Sequence, residues 1–393
     1  MVDLAKRQFL KQGLSGLSVC GVGAVWTSGL LVGCASPKKF DTLAVDDFSL
    51  LTADSNGVRL PAGFSSRIIA HSGQAVMNGQ NFVWHDAPDG GACFAREGGG
   101  WIYVSNSEIV SFGGVGAIVF NGEGEAVDAY AILQDTSRNC AGGATPWGTW
   151  LSCEEVDNGR VWECFPEGGK QAIVRPALGV FNHEAVAVDE TTQYLYLTED
   201  KRDGCLYRFI ANSLSENGFP DLSTGLLEVA VQGEGASLSW AAVPDPLAIK
   251  LETRYQVAGA RTFNGGEGIV YYNGKVFFTT KGDDRVWVYD TNHQTVDILY
   301  DASESLTPIL TGVDNITVSQ QGDIYVAEDG GDLQIVVIDN QGRLYPIAQL
   351  AGHEHSEIAG IAFSPDGKRL YFSSQRGTTG LSENGITYEI QGF

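Results

Sequence analysis

The sequence predicts an all-β chain folded as a six-bladed β-propeller, and three observations carry that expectation. Glycine supplies 50 of 393 residues, nearly twice the ordinary share of about 7% and without a collagen-like period. Such a chain is made for tight turns, and helices tolerate glycine poorly. Aromatic residues make up 10% and stand beside valine and isoleucine in short runs, which is strand composition. One pattern, a short β-rich run closed by a small polar or acidic cluster, occurs six times.

The copies are Trp101–Glu108, Trp147–Glu155, Tyr194–Asp200, Lys275–Asp284, Asp323–Asp329 and Arg369–Gln375. They recur every 46 residues or so, about the length of one propeller blade. The interval between the third and fourth copies is about 80 residues. Residues 211–260, with Pro220, Pro244 and Pro246, are expected to fill the excess as an insertion. A strand precedes most copies, as in Glu184–Asp189, Glu267–Gly274, Asp314–Gly322 and Gly360–Gly367, and a third follows in Cys205–Ile210, Arg285–Asp290 and Leu333–Asp339. Ile386–Ile390 is expected to close the ring against an early strand near Arg67–Ala70. The competing architecture, a pair of β-sandwiches, gives no reason for six equal repeats.

Residues 1–36 read as an export signal, 37–60 as a linker and 61–393 as the propeller. Lys6, Arg7 and Lys11 precede an uncharged stretch from Gln12 to Gly33, which is the charge pattern of an export leader. Lys6-Arg7-Gln8-Phe9-Leu10-Lys11 resembles the twin-arginine motif with lysine in the first arginine's place. Leu31-Val32-Gly33-Cys34 resembles a bacterial lipobox, in which Cys34 becomes the lipidated first residue. A cleaved signal without lipid and a simple membrane anchor are the alternatives, since about 20 apolar residues cross a bilayer. The expected location is the periplasm or cell envelope. Beyond the leader five cysteines remain, Cys93, Cys140, Cys153, Cys164 and Cys205. An odd number leaves at least one thiol without an internal partner, although export permits oxidation of Cys140 or Cys164 with a neighbour.

Acidic residues outnumber basic ones 48 to 25, a net charge of −23. Nucleic acid needs a basic field and is disfavoured as a partner; a small molecule and a monomeric chain are expected instead. The excess carboxylates serve either a solvated surface or the oxygen ligation of hard cations. Position favours the second use. In a propeller the first strand of each blade lines the central channel. Glu184, Glu267 and Asp314 open those strands in blades three, four and five, and Glu357 lies three residues before Gly360 in blade six. Carboxylates crowded round one axis repel one another, and desolvation adds to the cost, unless cations neutralise them.

Glu154, Glu155, Glu199, Asp200, Glu328 and Asp329 end the following strands, where satisfying turn amides is the plain alternative. Asn182 and Asn315 add neutral oxygens, and His183 is either a ligand or an orienting neighbour of Glu184. Cys153, beside Glu154 and Glu155, offers a soft thiolate suited to iron or zinc; a buried structural thiol is the alternative.

The run Asn139-Cys-Ala-Gly-Gly-Ala-Thr-Pro-Trp-Gly-Thr-Trp-Leu-Ser-Cys-Glu-Glu155 resembles the signature of the PhoX-type alkaline phosphatase family. Phe181–Asp189, Tyr196–Asp200, Phe263–Ile269, Asp314-Asn315 with Glu328-Asp329, and Glu357–Ile361 are similar to its later motifs and stand in the same order. The resemblance implies an exported six-bladed propeller that hydrolyses phosphomonoesters at a cluster of two ferric irons and calcium ions, bridged by a cysteine. Carried over, it makes Cys153 the bridging ligand, Glu184, Glu267 and Glu357 acidic ligands, and Glu154 and Asp314 further ones. Cys153, Glu184 and Glu267 are then the residues at the chemistry, with Glu199 and Glu328 as further candidate ligands.

One departure stands out. Gly265-Gly266 precede Glu267 where the family places a phosphate-holding arginine. Arg261 is out of register, and Arg202, Arg285 and Arg376 are candidate substitutes. Two other readings stay open: a calcium-dependent propeller that opens lactones, and a non-catalytic exported propeller that binds a partner. The chain has no phosphate-loop motif and no Gly-x-Ser-x-Gly elbow, and Gly142-Gly143 lack a following helix.

Overall fold

A computed structural model of the chain describes residues 49–393. The leader, Cys34 and the first half of the linker therefore lie outside the described residues. Within them the regular structure is antiparallel strand, with helix limited to three-residue turns such as Pro176–Leu178 and Lys281–Asp283. The strands form six sheets, the blades of a propeller. No helix of the described residues is long and apolar enough to cross a membrane.

Blade one runs outward from Pro88–Ala95 through Trp101–Ser107 and Gly113–Phe120 to Ala126–Thr136. Blade two is Asn139–Ala144, Trp150–Glu154, Val161–Cys164 and Ile173–Val174. Blade three is His183–Val188, Leu195–Glu199, Gly204–Ala211 and Gly225–Gln232, extended by Leu238–Ala242. Blades four and five begin at Gly266–Tyr272 and Val313–Val318, with second strands Lys275–Thr280 and Ile324–Glu328. Blade six takes Ile358–Phe363, Arg369–Ser374 and Ile386–Gln391 from the end of the chain and its outermost strand, Ser65–His71, from the beginning. The stretch 211–260 thus contains blade three's own outer strand. The extra length is Leu238–Ala242 and the turn-rich segment after it, from which Thr253 Oγ1 bonds Val180 O at 2.7 Å.

Glycine has a packing reason near the axis, where neighbouring inner strands touch. A Cβ on Gly143 would stand 1.9 Å from Val186 O, and one on Gly90 2.4 Å from Ala141 Cα. Backbone must approach backbone there, and only glycine permits it. Between blades the sheet faces bury apolar layers. Leu151 and Cys153 of blade two pack with Val186, Val188 and Leu197 of blade three, while Trp150 of blade two packs with Ile102 and Val104 of blade one.

The joint between the chain ends carries a buried ion pair. Glu389, its side chain fully buried, receives Arg67 Nε at 2.8 Å and Nη2 at 2.7 Å, and Tyr371 Oη at 2.6 Å. Glu389→Ala should cost about 3 kcal/mol, because it strands a partly buried guanidinium and a buried phenol. Urea unfolding checks this; an unchanged midpoint would mean the pair adds nothing to the joint.

Candidate metal centre

Every inner strand is irregular at the same place. The pairing of first with second strand slips between Pro88 and Gly91, Asn139 and Gly142, His183 and Val186, Gly266 and Ile269, Val313 and Ile316, and Ala359 and Ala362. A bulge inserts an unpaired residue and re-aims its side chain. The first residue inside each bulge is Asp89, Cys140, Glu184, Glu267, Asp314 and, in blade six, Gly360. Five of the six bulges thus bring an acid or a thiol to one end of the channel. In blade six Glu357, at the strand's start, takes that part.

A second row comes from the residue after each second strand: Glu108, Glu155, Asp200, Lys281, Asp329 and Gln375. The two rows mesh into four clusters, Asp89–Glu108–Cys140, Cys140–Glu155–Glu184, Glu184–Glu267–Asp314 and Asp314–Asp329–Glu357. In each, the ligating atoms lie within 4.8 Å of one another. Shared members join the clusters into one arc. Cys140 Sγ lies 3.4 Å from Glu184 Oε1 and 3.8 Å from Asp89 Oδ2.

The protein offsets part of this charge. Arg138 Nη2 reaches Glu108 at 2.5 Å and Glu155 at 2.6 Å. Arg376 Nη1 lies 3.2 Å from Glu357, and Gln375 Nε2 donates to Asp89 and Glu108 at 2.5 and 2.9 Å. Lys281 Nζ lies near Glu267, Asp314 and Asp329, and charge remains beyond these partners. Glu184 is 0% and Glu267 2% exposed, yet Glu184 Oε2 and Glu267 Oε1 have no hydrogen-bond partner among the described residues. Burial first, and then neighbouring carboxylates, push Asp89, Glu184, Glu267 and Glu357 well above the usual carboxylate range. Burial and Glu108 push Glu155 up to about 8. Burial, with Asp89 and Glu184 beside it, raises the Cys140 thiol. Buried oxygens without donors beside a thiol are what cation ligands look like before a cation arrives.

Of the residues picked from the sequence, Glu184, Glu267, Asp314 and Glu357 meet in this arc, and Cys153 and Glu154 do not. Cys153 points from the face of its sheet into the apolar layer with Phe181 and Val186. Glu154 accepts the backbone amides of Ser137 and Arg160, each at 3.2 Å. Glu199 is held by Tyr207, Cys205 N and Arg254, and Glu328 by the amides of Thr311 and Gln334. These glutamates tie loops, and the residue after each strand turns inward instead. His183 Nε2 sits 3.0 Å from Gly179 O, and the ring lies 3.6 Å from that of Phe181. Burial lowers His183 to about 3, so it is a neutral imidazole that pins the Gly179 turn and is not among the clustered ligands. Asn182 donates to Glu155 at 3.2 Å, and Asn315 to Asp314 at 2.7 Å.

Asp89, Glu108 and Cys140 complete the arc and were not singled out as ligands from sequence. The signal was present: Asp89-Gly-Gly and Cys140-Ala-Gly-Gly open blades one and two as Glu184-Ala and Glu267-Gly open three and four. All five cysteines of the described residues are free thiols, so the pairing considered for Cys140 and Cys164 is not made.

The candidate arginines part company as well. Arg285 is engaged by Asp283 and Asp301, and Arg261 lies over the rings of Phe263 and Trp287. Arg202 lines a cleft of about 370 Å³ beside Glu267 with Lys281 and Asn264.

Comparison with known proteins bears on the family and the fold. Residues 123–172 and 166–377 match the family described as alkaline phosphatase PhoX. PhoX of Pseudomonas fluorescens, solved with vanadate as a transition-state analogue, superposes over 88% of this chain and 97% of its own at a TM-score of 0.73 and 18% identity. A chain of a nidogen/laminin complex aligns over 74% of this chain and 99% of its own, with a TM-score of 0.43 and 13% identity. No curated protein sequence matches. Both the matched residues and the six-bladed fold around the arc lead to one assignment: the chain belongs to the PhoX family of alkaline phosphatases.

Proposed function

We propose that this protein is an exported, metal-dependent phosphomonoesterase whose centre is the carboxylate and thiol arc at the channel's end. The observation that carries the reading is the convergence of Asp89, Cys140, Glu184, Glu267, Asp314 and Glu357, with buried oxygens of Glu184 and Glu267 left without donors. Family membership supports phosphomonoester hydrolysis as the activity.

The donor set fits ferric iron and calcium. Its single thiol, with two carboxylates against it, suits a transition metal, and the purely carboxylate clusters suit calcium. Cys140 takes the part that the sequence resemblance gave to Cys153. Glu184, Glu267, Asp314 and Glu357 are ligands, joined by Asp89, Glu108, Glu155 and Asp329. Bound there, such ions neutralise phosphoryl oxygens and lower the pKa of a coordinated water. The chain's own part is to hold the ligands still. Gln375 fixes Asp89 and Glu108, Arg138 fixes Glu108 and Glu155, and Asn315 braces Asp314 against the Gly360 amide, its Oδ1 2.7 Å away. Arg202 stands in the cleft beside Glu267, where a cationic fork meets a phosphomonoester's oxygens. A calcium-only lactonase gives the thiol of Cys140 no work.

The test is elemental analysis of protein purified from iron-replete cells, with p-nitrophenyl phosphate hydrolysis at alkaline pH. Iron and calcium should both be present, and chelation should lower the rate at least about 100-fold. A rate indifferent to chelation, or metal-loaded protein without phosphatase activity, would overturn the assignment.

A further inference from the structure

The acidic row is broken by a neutral Gln375 in blade six and by a cation in blade four. The residue after the second strand is Glu108, Glu155, Asp200 and Asp329 in blades one, two, three and five, and Lys281 in blade four. Lys281 Nζ lies 3.3 Å from Glu267 Oε1, 3.5 Å from Asp314 Oδ2 and 2.9 Å from Asp329 Oδ2. Those three carboxylates come from two neighbouring clusters, Glu184–Glu267–Asp314 and Asp314–Asp329–Glu357. The ammonium therefore touches two members of each. A divalent ion in either cluster would meet a positive charge on the same oxygens, and like charges at contact distance repel strongly away from bulk water. The fit is also incomplete, since Glu267 Oε1 accepts no hydrogen bond despite lying within 3.3 Å of the ammonium.

We propose that Lys281 is a tethered cation that takes the place of one divalent ion in the arc between blades four and five. The proposal rests on the reading of the arc as a metal centre. A lysine ammonium is a compact point charge on a flexible stem. It neutralises carboxylates, yet it has no vacant coordination position and cannot activate water. This chain therefore binds one divalent ion fewer than its carboxylates would hold. Its metal chemistry then centres on Cys140 with Asp89, Glu108, Glu155 and Glu184, while Glu267, Asp314, Asp329 and Glu357 are shared between the ammonium and the remaining ion.

Calcium stoichiometry by equilibrium dialysis tests this on full-length protein purified in calcium, stripped and titrated. Lys281→Met keeps the stem's bulk and removes the charge, and it should bind an additional calcium ion per chain. Lys281→Arg keeps the charge and should bind as wild type. Lys281→Glu extends the acidic row into blade four, and it should bind the additional ion more tightly than Lys281→Met. A folded Lys281→Met protein with wild-type stoichiometry overturns the proposal. Should that variant not fold, Lys281→Glu in about 10 mM calcium, well above the usual range of protein calcium sites, decides. Wild-type stoichiometry in that variant, or failure to fold there, overturns the proposal equally. Iron content and phosphatase rate of the wild type, read on the same preparations, test the proposed function separately. Their absence would remove that reading while a calcium gain in Lys281→Met would still uphold the lysine's part.

Discussion

Cys140→Ser should empty the centre of iron and lower phosphatase activity by about 100-fold or more, whereas Cys153→Ser should leave iron content unchanged. The difference follows from where the two thiols point. Cys140 Sγ stands 3.4 Å from Glu184 and 3.8 Å from Asp89, so a metal bound by those carboxylates lies within its reach. A serine hydroxyl there keeps its proton and offers a neutral oxygen where the thiolate offered a charge, which makes it a weaker ligand for iron. Cys153 lies in an apolar layer. A serine hydroxyl at that position goes unsatisfied, which costs about 1–3 kcal/mol of stability and nothing in metal. Iron per chain, the colour of a ferric-thiolate band and the melting temperature are measured on both variants. Loss of iron in Cys153→Ser with retention in Cys140→Ser would exchange their roles and contradict the geometry.

Stripped of metal, the protein should become less stable as pH rises from 5 to 8.5. Glu155 is raised to about 8 by burial and Glu108, and burial with neighbouring carboxylates raises Asp89, Glu184, Glu267 and Glu357 well above the ordinary range. Above the ordinary glutamate value the unfolded chain has released protons that the folded chain keeps. The folded state then binds more protons, and its stability falls with pH. This contribution is whole below the unfolded pKa and is lost as pH climbs through the folded one. For Glu155 that window ends near 8. A drop in melting temperature on the order of 5 °C is expected in chelator across this range. Added calcium should abolish the drop, because cations replace the protons and binding stabilises the folded state. A chelated protein whose melting temperature rises with pH would show that the arc is not a buried, charge-strained site.

The blades were legible in the sequence because each repeats the same strand alternation, and the joint between Ile386–Gln391 and Ser65–His71 falls where apolar runs at the two ends pointed. Channel-opening acids were legible for the same reason, since Glu184, Glu267 and Asp314 hold one register in three successive blades. Cys153 drew attention by adjacency to Glu154 and Glu155, and adjacency along a strand is a poor guide to direction. Successive side chains leave opposite faces of a sheet, so Cys153 and Glu154 belong to different layers, and Glu155 turns to the arc only because the strand ends before it. What singled out Cys140 is the bulge after Asn139, a backbone event with no residue type of its own. The role of Lys281 was hidden likewise. Its meaning depends on which carboxylates of blades four and five converge, and that is a property of the closed ring.

The joint of the two chain ends also sets an order of events. Arg67 and Glu389 are 322 residues apart, and contacts of such separation form late, because a long loop must close before they give anything back. A chain emerging from its amino terminus holds Ser65–His71 with no neighbour to pair until Ile386–Gln391 has been made. Until then blade six lacks its two outer strands, and Glu357 has no finished sheet to hold it in the arc. The sixth blade is therefore finished only once Ile386–Gln391 has been made, and a stop before it leaves Ser65–His71 without the strand it pairs with.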